Sequence, residues 1–196
     1  MEKINMKKKL TGIIALVVVF AAVVLLGSSL IVTKENEYTL VRQFGKVQYI
    51  VEKPGLSLKI PFVQTADTLP KEILLYDLPA SDVITKDKKT MITDSYVLWK
   101  IKDPLKFAQS LNSSLSGAEN RINAVVYNAV KNVVSSMSQN DIIVGRSDLD
   151  LLISDAIGTS MDSYGIELLT IQIKQLDLPS DNKAAVYERM ISERNN

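Results

Sequence analysis

Residues 10–32 form an apolar stretch of 23 residues without a charge, and Lys7, Lys8 and Lys9 precede it immediately. A helix rises 1.5 Å per residue, so this stretch reaches about 35 Å, more than the roughly 30 Å of a bilayer's hydrocarbon core. It therefore predicts a transmembrane helix over residues 10–32, with the lipid bilayer as a partner of the chain.

The flanking charges predict the orientation of this helix. Lysines dominate residues 1–9, whereas Lys34 is followed by Glu35 and Glu37 on the other side. Because basic flanks stay cytoplasmic, residues 1–9 are expected inside and the main part of the chain outside the cytoplasm. A cleaved signal peptide is the alternative, since small residues end the apolar run. The run is, however, longer than the usual 7 to 15 residues of a signal core, and no A-x-A cleavage pattern follows it.

Composition limits the chemistry that the remaining chain can perform. From Glu35 onward, 162 residues are enough for one or two small domains. The net charge is +1, and four lysines lie before the apolar run, which argues against nucleic acid as a partner. The absence of Cys and His excludes disulfides, thiol chemistry and imidazole-based catalysis or zinc sites. No cofactor and no metal are expected.

The next region, residues 37–101, is predicted to be rich in strands. Alternation over residues 37–44 predicts a strand with Tyr38, Leu40 and Phe44 on one face, ended by Gly45. Short strands are predicted at residues 56–60, 65–69 and 73–78, and prolines lie at the ends of these strands.

A charged hairpin is predicted at residues 83–101. Strands at 83–85 and 91–101 flank the tetrapeptide Lys86-Asp87-Lys88-Lys89, and Val97, Trp99 and Ile101 share one face of the second strand. The tip could be a ligand-binding patch, but solvated turns usually carry such charges.

After Asp103 the hydrophobic period changes from 2 to 3.6, which predicts an α+β fold with helices packed on a sheet. A helix is expected from Asp103-Pro104 to Leu111, and a capping box at Ser116 and Glu119 is expected to start a longer one. A third helix is predicted from Ser147 to Gly165, followed by a long strand over residues 166–178. The apolar stripe of the longer helix consists of Ala118, Ile122, Val125, Val126, Ala129, Val130, Val133, Val134 and Met137.

A last helix is predicted to begin at Pro179-Ser180. Its residues Tyr187, Met190 and Ile191 recur at spacings of 3 and 4, as on the contact face of a helix that packs on another chain. These three residues are the predicted partner interface.

No catalytic residue is predicted. The tripeptide Ser180-Asp181-Asn182 matches one β-lactamase box, but the K-T-G box is absent and Ser180 fits a helix cap. With 22 acidic residues, a catalytic carboxylate pair stays open, so an anchored extracytoplasmic hydrolase is one alternative function. A secreted binding module, released by signal peptidase, is another.

Several short motifs, taken in order, resemble one protein family. They are Gln43-Phe44-Gly45-Lys46-Val47, Pro54-Gly55-Leu56, Lys59-Ile60-Pro61-Phe62, Ile84-Thr85-Lys86-Asp87-Lys88-Lys89, Asp94-Ser95-Tyr96, Trp99-Lys100-Ile101, Ile173-Lys174-Gln175, Leu178-Pro179 and Tyr187-Glu188-Arg189-Met190. Together with the apolar run, they resemble the SPFH or band 7 family of stomatins, prohibitins, flotillins and HflK and HflC proteins, and its HflC-type members in particular.

The resemblance implies a single-pass protein of the bacterial inner membrane without catalytic residues. It implies an SPFH domain over residues 35–179 and the start of a C-terminal helix over residues 180–196. It also implies a hetero-oligomer with an HflK-type protein that surrounds or restrains the membrane AAA+ protease FtsH. Family members continue into a long charged coiled coil, so the resemblance predicts a chain truncated at the start of that helix.

Overall fold

The computed structural model describes the backbone of residues 2–144 and 146–177, and the side chains of residues 13–20, 22–142 and 148–177. Over these residues, a long helix is followed by eight strands, four helices, one 3-10 turn and a last long strand. In chain order they are α1 (Glu2–Ser29), β1 (Leu30–Thr33), β2 (Glu37–Gln43), β3 (Lys46–Val51), β4 (Gly55–Leu58), β5 (Gln64–Pro70), β6 (Leu74–Asp77), β7 (Ser81–Ile84), β8 (Thr90–Ile101), α2 (Pro104–Leu111), α3 (Leu115–Ser136), α4 (Gln139–Val144), α5 (Arg146–Ile157), the 3-10 turn (Asp162–Tyr164) and β9 (Ile166–Asp177).

The chain divides between Lys71 and Glu72 into two compact units, called unit 1 and unit 2 below. The predicted α+β class is confirmed, but the predicted strand-rich region is split between the two units. Strands β6, β7 and β8 belong to unit 2 because they pair with one another and with β9.

Unit 1 contains two small antiparallel sheets, one with the order β3-β2-β5 and one that joins β1 to β4. Thr39, Leu40 and Val41 of β2 are all buried, because this central strand is covered on both faces. The predicted alternation is therefore wrong for this strand. Phe44, predicted on the face of Leu40, instead lies exposed in the turn after β2 with φ +49°. Strand β3 was not predicted.

Unit 2 is built on the long strand β8. Its side chains alternate between the core and the outer face. Val97, Trp99 and Ile101 share one face as predicted, and this face is the buried one. Trp99 also stacks on Phe107 of α2, with ring centroids 6.4 Å apart. The predicted hairpin of β7 and β8 is confirmed.

The first two helices of unit 2 follow the predicted pattern except at one cap. The Asp103 carboxylate accepts hydrogen bonds from the backbone N–H groups of Leu105 and Lys106, so it caps α2 as predicted. Helix α3 contacts β7 and α5 through its apolar stripe. Its cap is Ser114, whose hydroxyl accepts from the N–H of Gly117, and the predicted cap at Ser116 is wrong. The buried stripe residues are Ala118, Ile122, Val126, Ala129, Val130 and Val134.

The predicted helix from Ser147 to Gly165 is wrong at both ends. Helix α5 begins at Arg146, so Ser147 lies inside it, and it ends at Ile157. Gly158 follows with φ +50°, a left-handed conformation that commonly ends helices. The predicted last strand is confirmed as β9, and Leu178 lies outside the described residues.

Gly165 connects the 3-10 turn to β9 and lies directly against the start of α2. Its carbonyl accepts hydrogen bonds from the N–H groups of Lys102 and Asp103, at 2.9 and 3.1 Å. Its φ is +69°, and a Cβ atom at this position would lie 2.2 Å from the carbonyl oxygen of Asp103. Only glycine fits here, because both the backbone conformation and the space exclude a side chain.

Candidate functional site

Helix α1 exposes its apolar side chains on all sides. From Ile13 to Leu26, every large apolar side chain that the structure describes is exposed. The helix ends at Ser29, so residues 30–32, the last three of the predicted span, lie in β1 instead.

Among the residues that the structure describes, no helix has both the length and the apolar character needed to cross a membrane.

Strand β1 follows α1 directly and presents its apolar side chains outward. Ile31 and Thr33 are buried, whereas Leu30 and Val32 point away from the core, with Val32 68% exposed. Their antiparallel partners on β4 are Leu58 and Leu56, which are also exposed. Four aliphatic side chains therefore lie side by side on the outer face of this two-stranded sheet.

Two hydrogen bonds fix this sheet to the rest of unit 1. The Thr33 hydroxyl donates to the Thr39 hydroxyl at 2.8 Å, and both residues are buried. On the other strand, the Tyr49 hydroxyl donates to the carbonyl oxygen of Leu58 at 2.5 Å. Because side chains alternate along a strand, the burial of Thr33 leaves Leu30 and Val32 on the outer face.

The end of α1 lies at the same end of unit 1 as two loops. The N–H of Lys59 donates to the carbonyl of Ser29 at 2.8 Å, which attaches residues 59–63 to the last residue of the helix. Gln64, which begins β5, pairs with Gln43, which ends β2. The turn that contains Phe44 begins directly after Gln43, and the loop of residues 59–63 ends directly before Gln64. The turn and the loop therefore lie side by side.

Each of these two loops exposes a phenylalanine in an unfavourable backbone conformation. Phe44 and Phe62 have φ +49° and +64° and are 86% and 88% exposed. Positive φ is uncommon for residues other than glycine and costs on the order of 1 kcal/mol. The loop of Phe62 is braced by Gln64, whose side-chain oxygen accepts from the N–H of Ile60 at 2.8 Å.

These residues together make one apolar surface at the end of α1, called the helix-end surface. Lys53 and Lys59 flank β4, so basic groups border the surface along this strand. Contiguous exposed apolar area of this kind is rare on soluble surfaces and marks contact with a partner or a membrane. Its members are Leu30, Val32, Phe44, Leu56, Leu58, Ile60 and Phe62.

The charged hairpin tip in unit 2 is held by a network around Asp87. Its carboxylate accepts hydrogen bonds from the Thr85 hydroxyl at 2.5 Å and from the N–H of Gln139 at 3.2 Å, and it pairs with Lys89 at 3.2 Å. The Thr85 bond, helped by Lys89 and Gln139, lowers the pKa of Asp87 to about 2. Asp87 and Lys89 therefore attach the tip to α4, whereas Lys86 and Lys88 remain exposed.

The other clustered charges of unit 2 hold strands together. Lys174 lies at a bulge of β9 and pairs with Asp77 of β6 and Asp94 of β8, at 2.6 and 2.9 Å. The hydrogen bonds that its ammonium group donates to Asp77 and Asp94 raise the pKa of Lys174. Asp150 of α5 accepts from the N–H of Ile173 on β9. Within the described ranges, no group of three acidic side chains could hold a metal ion.

The predicted partner interface, Tyr187, Met190 and Ile191, lies outside the described residues. The helix-end surface was not predicted, because residues 30–32 were assigned to the membrane span and residues 56–60 to an ordinary strand. The signal was nevertheless present: strand-like alternation directly after an uncharged run leaves Leu30 and Val32 on one face.

The chain is similar to known proteins over most of its length. The model of the SPFH domain / Band 7 family matches residues 31–196. A protein from Haemophilus influenzae called Protein HflC is 30% identical, over 90% of this chain and 64% of its own length. A second Protein HflC, from Buchnera aphidicola of Schizaphis graminum, is 31% identical, over 85% of this chain and 62% of its own length.

An Escherichia coli protein called Modulator of FtsH protease HflC is 28% identical, over 96% of this chain and 69% of its own length. The chain thus spans just under two thirds of the Haemophilus and Buchnera proteins and slightly more of the Escherichia one.

Proposed function

This chain belongs to the SPFH domain / Band 7 family, and we propose that it is a membrane-anchored scaffold that helps to regulate a membrane protease. In this proposal an HflK-type protein is its partner and an FtsH-type AAA+ protease is the regulated enzyme. The proposal assigns the chain no catalytic step, since the family match and the HflC relatives point to a regulatory protein.

The anchor in this proposal is the helical part of the uncharged run, residues 10–29. Its length suits a bilayer, and the lysines before it favour a cytoplasmic N-terminus. Units 1 and 2 then lie outside the cytoplasm, at the bacterial inner membrane.

The observation that carries the proposal is the helix-end surface. A helix that leaves the bilayer near Ser29 would bring Leu30, Ile60 and Phe62 to the level of the lipid headgroups. Burying one leucine-sized side chain in an apolar phase contributes about 1.5–3 kcal/mol. Several such side chains would hold unit 1 against the bilayer, and Lys53 and Lys59 would face the anionic headgroups.

The protease part of the proposal follows from the relatives. The Escherichia coli protein is named as a modulator of FtsH, and its similarity covers 96% of this chain. A regulator held at the bilayer can control how substrates reach a membrane protease without performing chemistry itself. The predicted interface Tyr187, Met190 and Ile191 is assigned to the HflK-type partner.

Site-directed labelling tests whether the helix-end surface contacts lipid. The chain has no cysteine, so Phe62→Cys creates a single site for an environment-sensitive fluorophore in the full-length protein in vesicles. The matched control is Glu35→Cys in the turn after β1, a strand whose four residues span about 13 Å. We expect lipid-attached quenchers to quench the label at position 62 several-fold more than the label at position 35. Equal quenching at both positions would overturn the membrane contact.

Co-purification tests the protease part. The full-length tagged chain, extracted from membranes in mild detergent, should retain an HflK-type protein and a membrane AAA+ protease. It should also remain in membranes after a carbonate wash, which separates an anchored scaffold from a secreted module. An intact chain that stays in washed membranes but retains no protease would refute the regulatory role.

Orientation is tested separately with a reporter fused after Asn196. The lysines before the span predict reporter activity outside the cytoplasm, and replacing Lys7, Lys8 and Lys9 with Glu should weaken that preference. Reporter activity in the cytoplasm of the unsubstituted chain would reverse the proposed topology.

A further inference from the structure

Helix α1 joins the first strand of unit 1 directly. The helix ends at Ser29, and strand β1 begins at Leu30, the next residue. The carbonyl of Ser29 accepts a hydrogen bond from the N–H of Lys59, which follows β4, at 2.8 Å. This bond lies next to the first pair of the β1–β4 ladder, which joins Leu30 to Leu58. The last residue of the helix is therefore also bonded to the two-stranded sheet.

The junction is hydrogen-bonded on both sides of Ser29. On the helix side, the hydroxyls of Ser28 and Ser29 both donate to the carbonyl of Leu25, at 3.1 and 2.7 Å, so neither hydroxyl competes for the sheet. On the sheet side, the Tyr49 hydroxyl donates to the carbonyl of Leu58 at 2.5 Å. Bending between α1 and β1 would break some of these bonds, so the helix and unit 1 should move as one body.

The helical part of the uncharged run is about as long as a bilayer is thick. Residues 10–29 are twenty helical residues, which at a rise of about 1.5 Å each span about 30 Å, close to the hydrocarbon core of an average bilayer. In a core of about 27 Å, a straight helix of this length fits when it tilts by about 26°. A thinner bilayer therefore tilts α1.

We propose that α1 and unit 1 tilt together, so that the thickness of the bilayer controls how closely the helix-end surface approaches the lipid. Tilting toward the side that carries Leu30, Ile60 and Phe62 brings their exposed side chains to the bilayer, whereas tilting away lifts them into water. Burial of apolar side chains is favourable, so the first direction is preferred. Unit 1 is then drawn closer to a thin bilayer than to one that matches the helix.

This inference rests on the proposed membrane anchor and adds a form of regulation to it. A scaffold whose extracytoplasmic unit follows the tilt of its helix takes different positions over thin and thick bilayer. The change needs no ligand, because the junction at Ser29 transmits it mechanically.

The first experiment compares bilayers of two thicknesses. The full-length Phe62→Cys chain, labelled with an environment-sensitive fluorophore, is placed in vesicles of dimyristoleoyl lipids and in thicker vesicles of dioleoyl lipids. We expect lipid-attached quenchers to quench the label about twofold more in the thinner bilayer. The sign is decisive, since a helix that did not tilt would carry position 62 farther from a thinner bilayer and lower the quenching.

Two insertions of four residues then test the rigid junction. Gly-Ser-Gly-Ser between Ser29 and Leu30 lets the helix tilt without unit 1, so quenching at position 62 should become equal in the two kinds of vesicle. Leu-Ala-Leu-Ala between Val23 and Val24 is the matched control, because it leaves the junction intact and lengthens the helix by about 6 Å. This longer helix should tilt even in dioleoyl vesicles, so quenching there should rise at least to the thin-bilayer value of the chain without insertion.

Two results would overturn the coupling. They are quenching that does not rise in the thinner bilayer for the chain without insertion, and a response that survives the flexible insertion. Thermal unfolding followed by circular dichroism in detergent should show that both insertion variants are folded; the comparison without insertion decides the question even where one is not. If position 62 is still quenched more than position 35, only the coupling is wrong and the proposed membrane contact stands. Equal quenching at positions 62 and 35 in all vesicles would overturn both.

Discussion

Strand β1 of unit 1 and strand β8 of unit 2 both alternate between a buried and an outer face, but they differ in the side chains that the outer face carries. In β8 of unit 2, the large side chains of Val97 and Trp99 face the core and the outer side chains are half-exposed. In β1 of unit 1, Ile31 and Thr33 are buried while Leu30 and Val32 face outward. Hydrophobic pattern alone therefore identifies a strand but does not say which face is the core.

The difference shows where each unit obtains its stability. Unit 2 buries Trp99, Phe107, Ile122 and Val126 in one continuous core. Unit 1 leaves aliphatic and aromatic side chains exposed and holds Phe44 and Phe62 at positive φ. The positive φ of Phe44 and Gly45 closes the hairpin of β2 and β3, so this conformation serves the fold while the ring of Phe44 stays exposed. Substitutions in the two units should accordingly differ in the size of their effect on stability.

The largest effect is expected at the centre of unit 2. Val126 is fully buried on α3, so Val126→Asp would bury a carboxylate without a partner and cost about 4 kcal/mol or more. The sequence has a single tryptophan, Trp99, which makes its emission a specific probe of unit 2 during thermal unfolding. Ala124→Asp, exposed on the same helix, is the matched control and should melt as the unsubstituted chain does. Equal melting of both variants would place the stripe at a surface.

A smaller loss is expected at Gly165. Its replacement by Ala would force a Cβ against the Asp103 carbonyl and require positive φ, at a cost of about 2–4 kcal/mol. Gly158→Ala separates the two causes, since Gly158 also has positive φ but its added Cβ would lie 3.6 Å from the nearest atom. That variant should lose only about 1 kcal/mol. If the two variants unfold at the same temperature, backbone strain alone determines the cost.

The pH dependence of unit 2 should include a contribution from Asp87. Its pKa is about 2 in the folded chain against 3.8 for the ordinary group, so the folded state favours the ionised form. This stabilisation is complete above pH 3.8 and is lost as the pH falls from 3.8 through 2. Thermal unfolding followed by Trp99 emission should therefore show a higher melting temperature for the unsubstituted chain than for Asp87→Asn at pH 5. At pH 2.5 this difference should be smaller. Asp82→Asn on β7 is the control; a convergence of the same size there would mean that Asp87 has no special part.

Unit 2 was largely predictable from the sequence because its local signals agree with its packing. The Asp103-Pro104 cap, the stripe of α3 and the alternation of β8 each predicted what the structure contains. The errors fall at helix ends. Ser114 rather than Ser116 caps α3, and Gly158 ends α5 early, because two nearby candidates compete and tertiary packing selects one.

Unit 1 was less predictable because its small sheets depend on contacts between distant residues. The burial of Thr33 follows from a hydrogen bond to Thr39, and the position of the Phe62 loop follows from the bond between Lys59 and Ser29. Neither contact has a periodic signal in the sequence. The helix-end surface was therefore not predicted because, in unit 1, the local hydrophobic pattern and the tertiary contacts disagree.

The smallest change in stability is expected on the outer face of β1 and β4. Val32 and Leu56 are neighbours across the two strands, and Leu56 is 72% exposed, so replacing both by Thr removes apolar surface without opening a cavity. Threonine keeps the β-branched shape that strands favour, and surface substitutions of this kind usually change stability by no more than about 0.5 kcal/mol. Thermal unfolding in detergent, followed by circular dichroism, should therefore give a melting temperature within error of that of the unsubstituted chain.

The same double substitution should clearly weaken quenching of a label at position 62 by lipid-attached quenchers, because the apolar contact with the bilayer is reduced. A control with Ile31→Thr should do the reverse, since Ile31 faces the core: it should lower the melting temperature and leave the quenching of folded protein unchanged. If Val32→Thr with Leu56→Thr destabilised unit 1 as much as Ile31→Thr, the outer face would serve the fold itself, and the contrast between the two units would disappear.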